Sequence, residues 1–147
     1  MPRLLTTLVA ATLLATAPLI SHADQHGDTA DKVLVILSSD SLQTQGMAMV
    51  LSNTMAQQGA QVNVLLCDQA GDLALKSYSA DALKPKDLTP GQMLRGLAKQ
   101  GGEINVCALY LPNSDYTQED LMEGVGVATP PDMAGQMLDP EIRIFSF

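Results

Sequence analysis

The chain has 147 residues, with 16 acidic against 8 basic side chains and a formal net charge of −8 at pH 7. A surface that negative repels nucleic-acid phosphates and anionic lipid. Five aromatic residues and no tryptophan leave little from which to build a platform for stacking bases or sugars.

The chain opens MPRLLTTLVAATLLATAPLISHADQ. Arg3 is a positive start, Leu4 to Ile20 is an apolar run, and Ser21, His22 and Ala23 form a small-x-small triplet. That is the layout of a secretory signal peptide cut after Ala23. The run is about 17 residues long and contains threonines and a proline, whereas a membrane-spanning helix takes about 20 apolar residues. No cysteine lies near the cut to carry a lipid. The expectation is a leader over residues 1–23 and a single domain over residues 24–147, exported to the periplasm with no membrane association after cleavage. Loss of Arg3 leaves the mature chain at about −9.

The stretch KVLVILS from Lys32 is a continuous apolar run of strand length, the pattern of a strand buried on both faces of a parallel sheet. Asp40 or Ser41 can then cap a helix whose stripe runs through Met47, Val50, Leu51 and Met55, with Gly59 as its stop. A second strand, QVNVLLC, ends near Cys67. GDLALK, residues 71–76, suggests a short helix. The clearest helix follows Thr89, with Pro90 at its first position and Gly101 after its end. EINVC is the next strand. Thr117 to Asp120 resembles a capping box opening a short helix through Met122. Residues 125–127 suggest a short strand, Thr129 opens another short helix, and IRIFS from Ile142 is a terminal strand. This alternation implies an α/β fold: a three-layer α/β/α sandwich on a mostly parallel sheet of four to five strands, in a flavodoxin-like order. In such sheets ligands sit outside the carboxyl ends of the strands, where both cysteines fall.

Several familiar sites are missing. The residues after the first strand, SSDSLQ, are not a dinucleotide fingerprint. Once the leader is removed only His26 remains, which leaves neither a Cys–His catalytic pair nor enough ligands for zinc. There is no CxxC. Asp40 and Asp68 near strand ends read either as an acid/base pair or as loop and cap residues. Met47 with Met49, and Met133 with Met137, could join a cysteine in a soft Cu(I) site. Met47, Met55 and Met93 also lie on stripes expected to face the core, where methionine fills gaps.

For Cys67 and Cys107 three readings stand: a disulfide, inert buried thiols, or a reactive thiol. In a doubly wound order 2-1-3 the first strand separates the two that carry cysteines. The thiols would then be about 10 Å apart, beyond the Cα separation of about 7 Å that a bridge tolerates. Cys107 is either mid-strand and buried or at the strand tip, where amides of the following turn would favour its thiolate.

The runs VLVILSSDSLQTQGMAMVLSNTMAQQGAQVNVLLCDQAGDLAL and LTPGQMLRGLAKQGGEINVCALYLPN, followed by ATPPDMAGQMLDP before the last strand, resemble the DsrE-like family of sulfur-relay proteins. The resemblance spans nearly the whole mature chain. It implies persulfide transfer by a single thiol, with Cys107 as the sulfur acceptor at the junction Asn105, Val106, Cys107, Ala108. It also implies an oligomer, a trimer or hexamer, that exchanges sulfur with thiol or persulfide donor and acceptor proteins, without metal or cofactor. Cys67 lies outside the family's core pattern and stands as a candidate second thiol or a buried small residue. The best-known members work in the cytoplasm, whereas this chain is expected to be exported. The alternative function is a non-catalytic oligomeric binding module, or a soft-metal Cu(I) binder, with buried thiols.

Overall fold

The computed structural model describes residues 32–147. The leader, its cleavage point and His26 lie outside the described residues. Five strands form one sheet: β1 (Lys32–Leu37), β2 (Gln61–Leu66), β3 (Glu103–Val106), β4 (Gly126–Val127) and β5 (Ile142–Ser146). Every neighbouring pair is parallel. The helices are α1 (Leu42–Gln57), α2 (Pro90–Lys99) and α3 (Pro130–Leu138), with short 3-10 helices at Asp68–Ala74, Leu111–Asn113 and Gln118–Asp120. The α/β class and the parallel sheet flanked by helices are those expected from the alternation of elements.

Local chemistry sets the boundaries. The Ser41 hydroxyl accepts from the Thr44 amide and caps α1. The cap is therefore Ser41 and not Asp40. Thr89 and Gln92 complete a reciprocal capping box around Pro90 at the start of α2. Gly59 and Gly101 end α1 and α2 at φ of +96° and +90°, a backbone region that glycine enters without strain. Thr117 and Asp120 form the expected box, but it opens a single 3-10 turn that stops at Asp120 and does not run on to Met122. The short helix expected over residues 71–76 is the 3-10 helix Asp68–Ala74, which starts directly after β2.

The strand order is β4-β3-β2-β1-β5, and here the 2-1-3 expectation is corrected. The middle position belongs to β2, between β1 and β3. The physical reason lies in the crossovers. α1 and α2 supply Met49, Leu94 and Leu97 to the same core as Val33, Val62, Val64 and Val106, so both cover one face. Right-handed crossovers on one face must step in one direction, which carries the chain from β1 to β2 to β3. α3 packs on the opposite face, where Met133 meets the cluster of Leu34, Leu65 and Ala128. A crossover on that face steps the other way and places β5 beyond β1. Asn63 Nδ2 donates to Gln136 Oε1 at 3.0 Å and ties α3 to β2.

The apolar stripe of α1 is corrected in part: Met55 packs against the core as expected, but the rest of the stripe does not. Met47 is 55 % exposed, and Val50 and Leu51 also face outward, whereas Met49 is fully buried. The buried side is Gln45, Gly46, Ala48, Met49 and Ser52. Small residues allow α1 to lie close to its neighbours. Gly46 fits against Leu83, which a Cβ would displace. Ser52 tolerates burial because its hydroxyl donates to the Ala48 carbonyl at 2.8 Å.

Candidate functional site

β2 and β3 lie side by side with Leu66 paired to Val106, and each is followed by a cysteine. The Cys67 amide still bonds to Leu37 O at 2.8 Å, and the Cys107 amide to Leu66 O at 2.8 Å. Both residues therefore hold the position of one more rung in the parallel ladder. Each chain then turns away. Ala70 N bonds back to Cys67 O at 3.1 Å, and Tyr110 N to Cys107 O at 2.9 Å. Asp68 makes the first turn with φ of +50°. Cys107 is thus the first residue off its strand, at the tip and not in mid-strand.

The two thiols are free and half-buried. Inward they pack against the aliphatic cluster of Leu34, Leu65 and Ala128. Outward they line an open cavity of about 590 Å³ together with Asp68, Gln69, Asp72, Leu109, Tyr110, Asn113 and Ser114. The separation of about 10 Å expected from the 2-1-3 order does not apply. Neighbouring strands are about 4.8 Å apart, so the geometric argument against a bridge falls with that order.

Burial pushes the Cys67 thiol up to about 12, aided by a hydrogen bond to Cys107 and by the negative charges of Cys107 and Asp68. A contact that raises a thiol's pKa favours its protonated form. At neutral pH Cys67 is a thiol.

The wall of the cavity is held by a contact that no sequence pattern announced. Tyr110 Oη donates to Asp72 Oδ1 at 2.6 Å. Burial first, then this bond and the carboxylate charge, push the phenol well above its ordinary range, so it remains a donor. Gly71 lies flat against the Tyr110 ring, where a Cβ would overlap it. Tyr116 also stacks with Tyr110, at 6.5 Å between centroids. The only hint in the sequence was that Tyr110 stands three residues after Cys107, at the closing position of a tight turn.

Other candidate residues are dispersed. Asp68 lines the thiol cavity, but Asp40 is not among its lining residues, so the two do not form an acid/base pair there. Met47 and Met49 point to opposite sides of α1 and cannot share a metal. Among the described residues no group of three or more His, Cys, Asp or Glu could hold a metal ion. No described helix is long and apolar enough to cross a membrane.

No protein-family model matches the chain, and no curated protein does. Solved structures do. The ychN protein from E. coli superposes with a TM-score of 0.68 at 16 % identity, covering 80 % of this chain and 99 % of that one. MTH1491 from Methanobacterium thermoautotrophicum, a protein of unknown function, superposes with a TM-score of 0.61 at 16 % identity, covering 79 % and 98 %. At this identity the likeness shows a shared fold, the parallel α/β sheet flanked by helices described above.

Proposed function

We propose that this chain is a sulfur carrier that accepts a persulfide sulfur on Cys107 after export to the periplasm. One observation carries the reading. Cys107 is half-buried at a strand tip and faces an open cavity beside a second thiol that stays protonated at neutral pH. The step needs no metal and no histidine. The Cys107 thiolate attacks the outer sulfur of a donor R–S–SH, the donor S–S bond breaks, R–S⁻ leaves, and Cys107–S–SH forms. A receiving thiolate then repeats the exchange on the outer sulfur. Donor and acceptor are thiol or persulfide proteins, and the resemblance supports a homo-oligomer, a trimer or hexamer, as the working form.

Mass spectrometry of the intact protein tests this. Reduced protein sampled early in treatment with glutathione persulfide should show a form heavier by about 32 Da, the mass of one sulfur atom. Cys107→Ala should gain nothing. A Cys107→Ala protein that still takes up sulfur on Cys67 would reject the assignment.

A soft-metal reading has one observation in its favour: Met133 packs on the same cluster as both thiols, and thiolate with thioether suits Cu(I). Anaerobic titration with Cu(I) decides it. One-to-one uptake weakened in Met133→Leu supports the reading, and no uptake retires it.

A further inference from the structure

The proposed carrier step uses one sulfur, yet the fold presents two. Cys67 and Cys107 follow paired residues of neighbouring parallel strands. Both pack on one aliphatic cluster and line one cavity. A strand spacing of about 4.8 Å falls inside the Cα range of about 4.4–6.8 Å that disulfides occupy. The pair can therefore close without moving either strand, and nothing in a carrier role for Cys107 requires that.

We propose that Cys67 is a resolving thiol that discharges the Cys107 persulfide, releasing hydrogen sulfide and leaving a Cys67–Cys107 disulfide. This rests on Cys107 accepting sulfur as proposed above. The Cys67 sulfur attacks the inner sulfur of Cys107–S–SH. The Cys67–Cys107 bond forms, the bond to the outer sulfur breaks, and the outer sulfur leaves as HS⁻, which takes up the proton given up by Cys67. The outer sulfur is reduced to sulfide, and the two cysteine sulfurs end as a disulfide, so the step needs no outside oxidant. An external dithiol must then reduce the bridge before the next cycle. Because Cys67 is protonated in the resting pair, it does not compete with Cys107 for the donor. Its turn comes after loading, when the persulfide lies beside it. The chain would then be a persulfide reductase at the strand tips, and the lifetime of the carried sulfur would depend on Cys67.

Full-length mature protein, reduced and freed of reductant, is treated with one equivalent of glutathione persulfide. Intact mass, released sulfide and a non-reducing peptide map are followed together. Wild type should pass through the form heavier by about 32 Da and end about 2 Da lighter than the reduced protein, with sulfide released and residues 67 and 107 linked. Cys67→Ser and Cys67→Ala should keep the added sulfur and release no sulfide above the donor blank. If wild type holds the added sulfur as long as both variants do, the resolving role is overturned and the carrier reading stands. If wild type gains no sulfur and forms no bridge, both fall. The decisive bridge is read in wild type, so poor folding of a variant cannot obscure the result.

Discussion

At the scale of single residues, the two cysteines differ because their surroundings differ, although both follow a strand by one position. Cys67 carries the proton because burial, the Cys107 sulfur and the Asp68 carboxylate all act against its anion. A thiol with its pKa near 12 has a thiolate fraction that rises about tenfold per pH unit throughout the range where proteins are handled. Peptide-resolved alkylation with iodoacetamide should show the Cys67 rate climbing from pH 7 to pH 10 with no plateau. Cys107→Ala removes the second and third causes of the shift and leaves burial and Asp68. In that variant the plateau should move to lower pH. A wild-type plateau below pH 9 would mean that the two sulfurs do not interact as described. The resemblance singled out Cys107, but neither the protonation of Cys67 nor its causes could be read from the sequence. Asp68 was visible beside Cys67, but its effect depends on the left-handed turn that holds it at the cavity.

At the scale of elements, what could be read from the chain was whatever depends on near neighbours in sequence. Ser41, Thr89 and Thr129 cap their helices by bonding to amides three residues on, and such caps leave a local signature. The face of α1 that turns inward was not legible. Its most apolar stripe includes Met47, Val50 and Leu51, and these are outside. The side that packs is the one with small residues, because the space beside α1 is already taken by its neighbours. Periodicity finds the stripe of greatest hydrophobicity, whereas packing selects the stripe that fits. The two can be separated by substitution. Met49→Ala should cost about 2–5 kcal/mol, the usual range for deleting a fully buried long side chain. Met47→Glu should cost much less, because Met47 is 55 % exposed at the rim of a groove it shares with Leu83 and Leu88. Urea denaturation of both variants measures this, and equal losses would restore the original stripe. Strand order escaped the sequence for a similar reason. Both 2-1-3 and 3-2-1 use the same elements and the same crossover hand, and they differ only in which face each helix covers. That choice decides whether Cys67 and Cys107 are neighbours. The Tyr110–Asp72 bond spans 38 residues and exists only once the order is set.

At the scale of the whole molecule, charge is the property most directly available from composition, and it bears on which donors can reach the thiols. The chain carries −8 overall, and the cavity adds two carboxylates, Asp68 and Asp72, with no Lys, Arg or His among its lining residues. A field of one sign over a concave site lowers the local concentration of like-charged reactants and raises that of oppositely charged ones. Small anionic persulfides should therefore load Cys107 slowly at low ionic strength, and cationic ones quickly. Salt removes the difference, since the screening length falls from about 30 Å at 0.01 M to about 8 Å at 0.15 M. Loading rates from glutathione persulfide and from cysteamine persulfide, an anion and a cation, can be followed by intact mass over that range. Their intrinsic reactivities differ, so the informative quantity is how the ratio changes with salt. The cation-to-anion ratio should fall several-fold between 0.01 M and 0.5 M. Asp68→Asn should lower the ratio at low salt while leaving its high-salt value unchanged, because it removes one charge from the cavity wall and leaves the Tyr110–Asp72 contact in place. A ratio indifferent to salt would place the reacting sulfur outside the reach of that field, in conflict with Cys107 facing a cavity walled by Asp68 and Asp72. A ratio that does respond favours donors that present positive charge around their persulfide, a complementarity that a protein partner can supply and a small anion cannot.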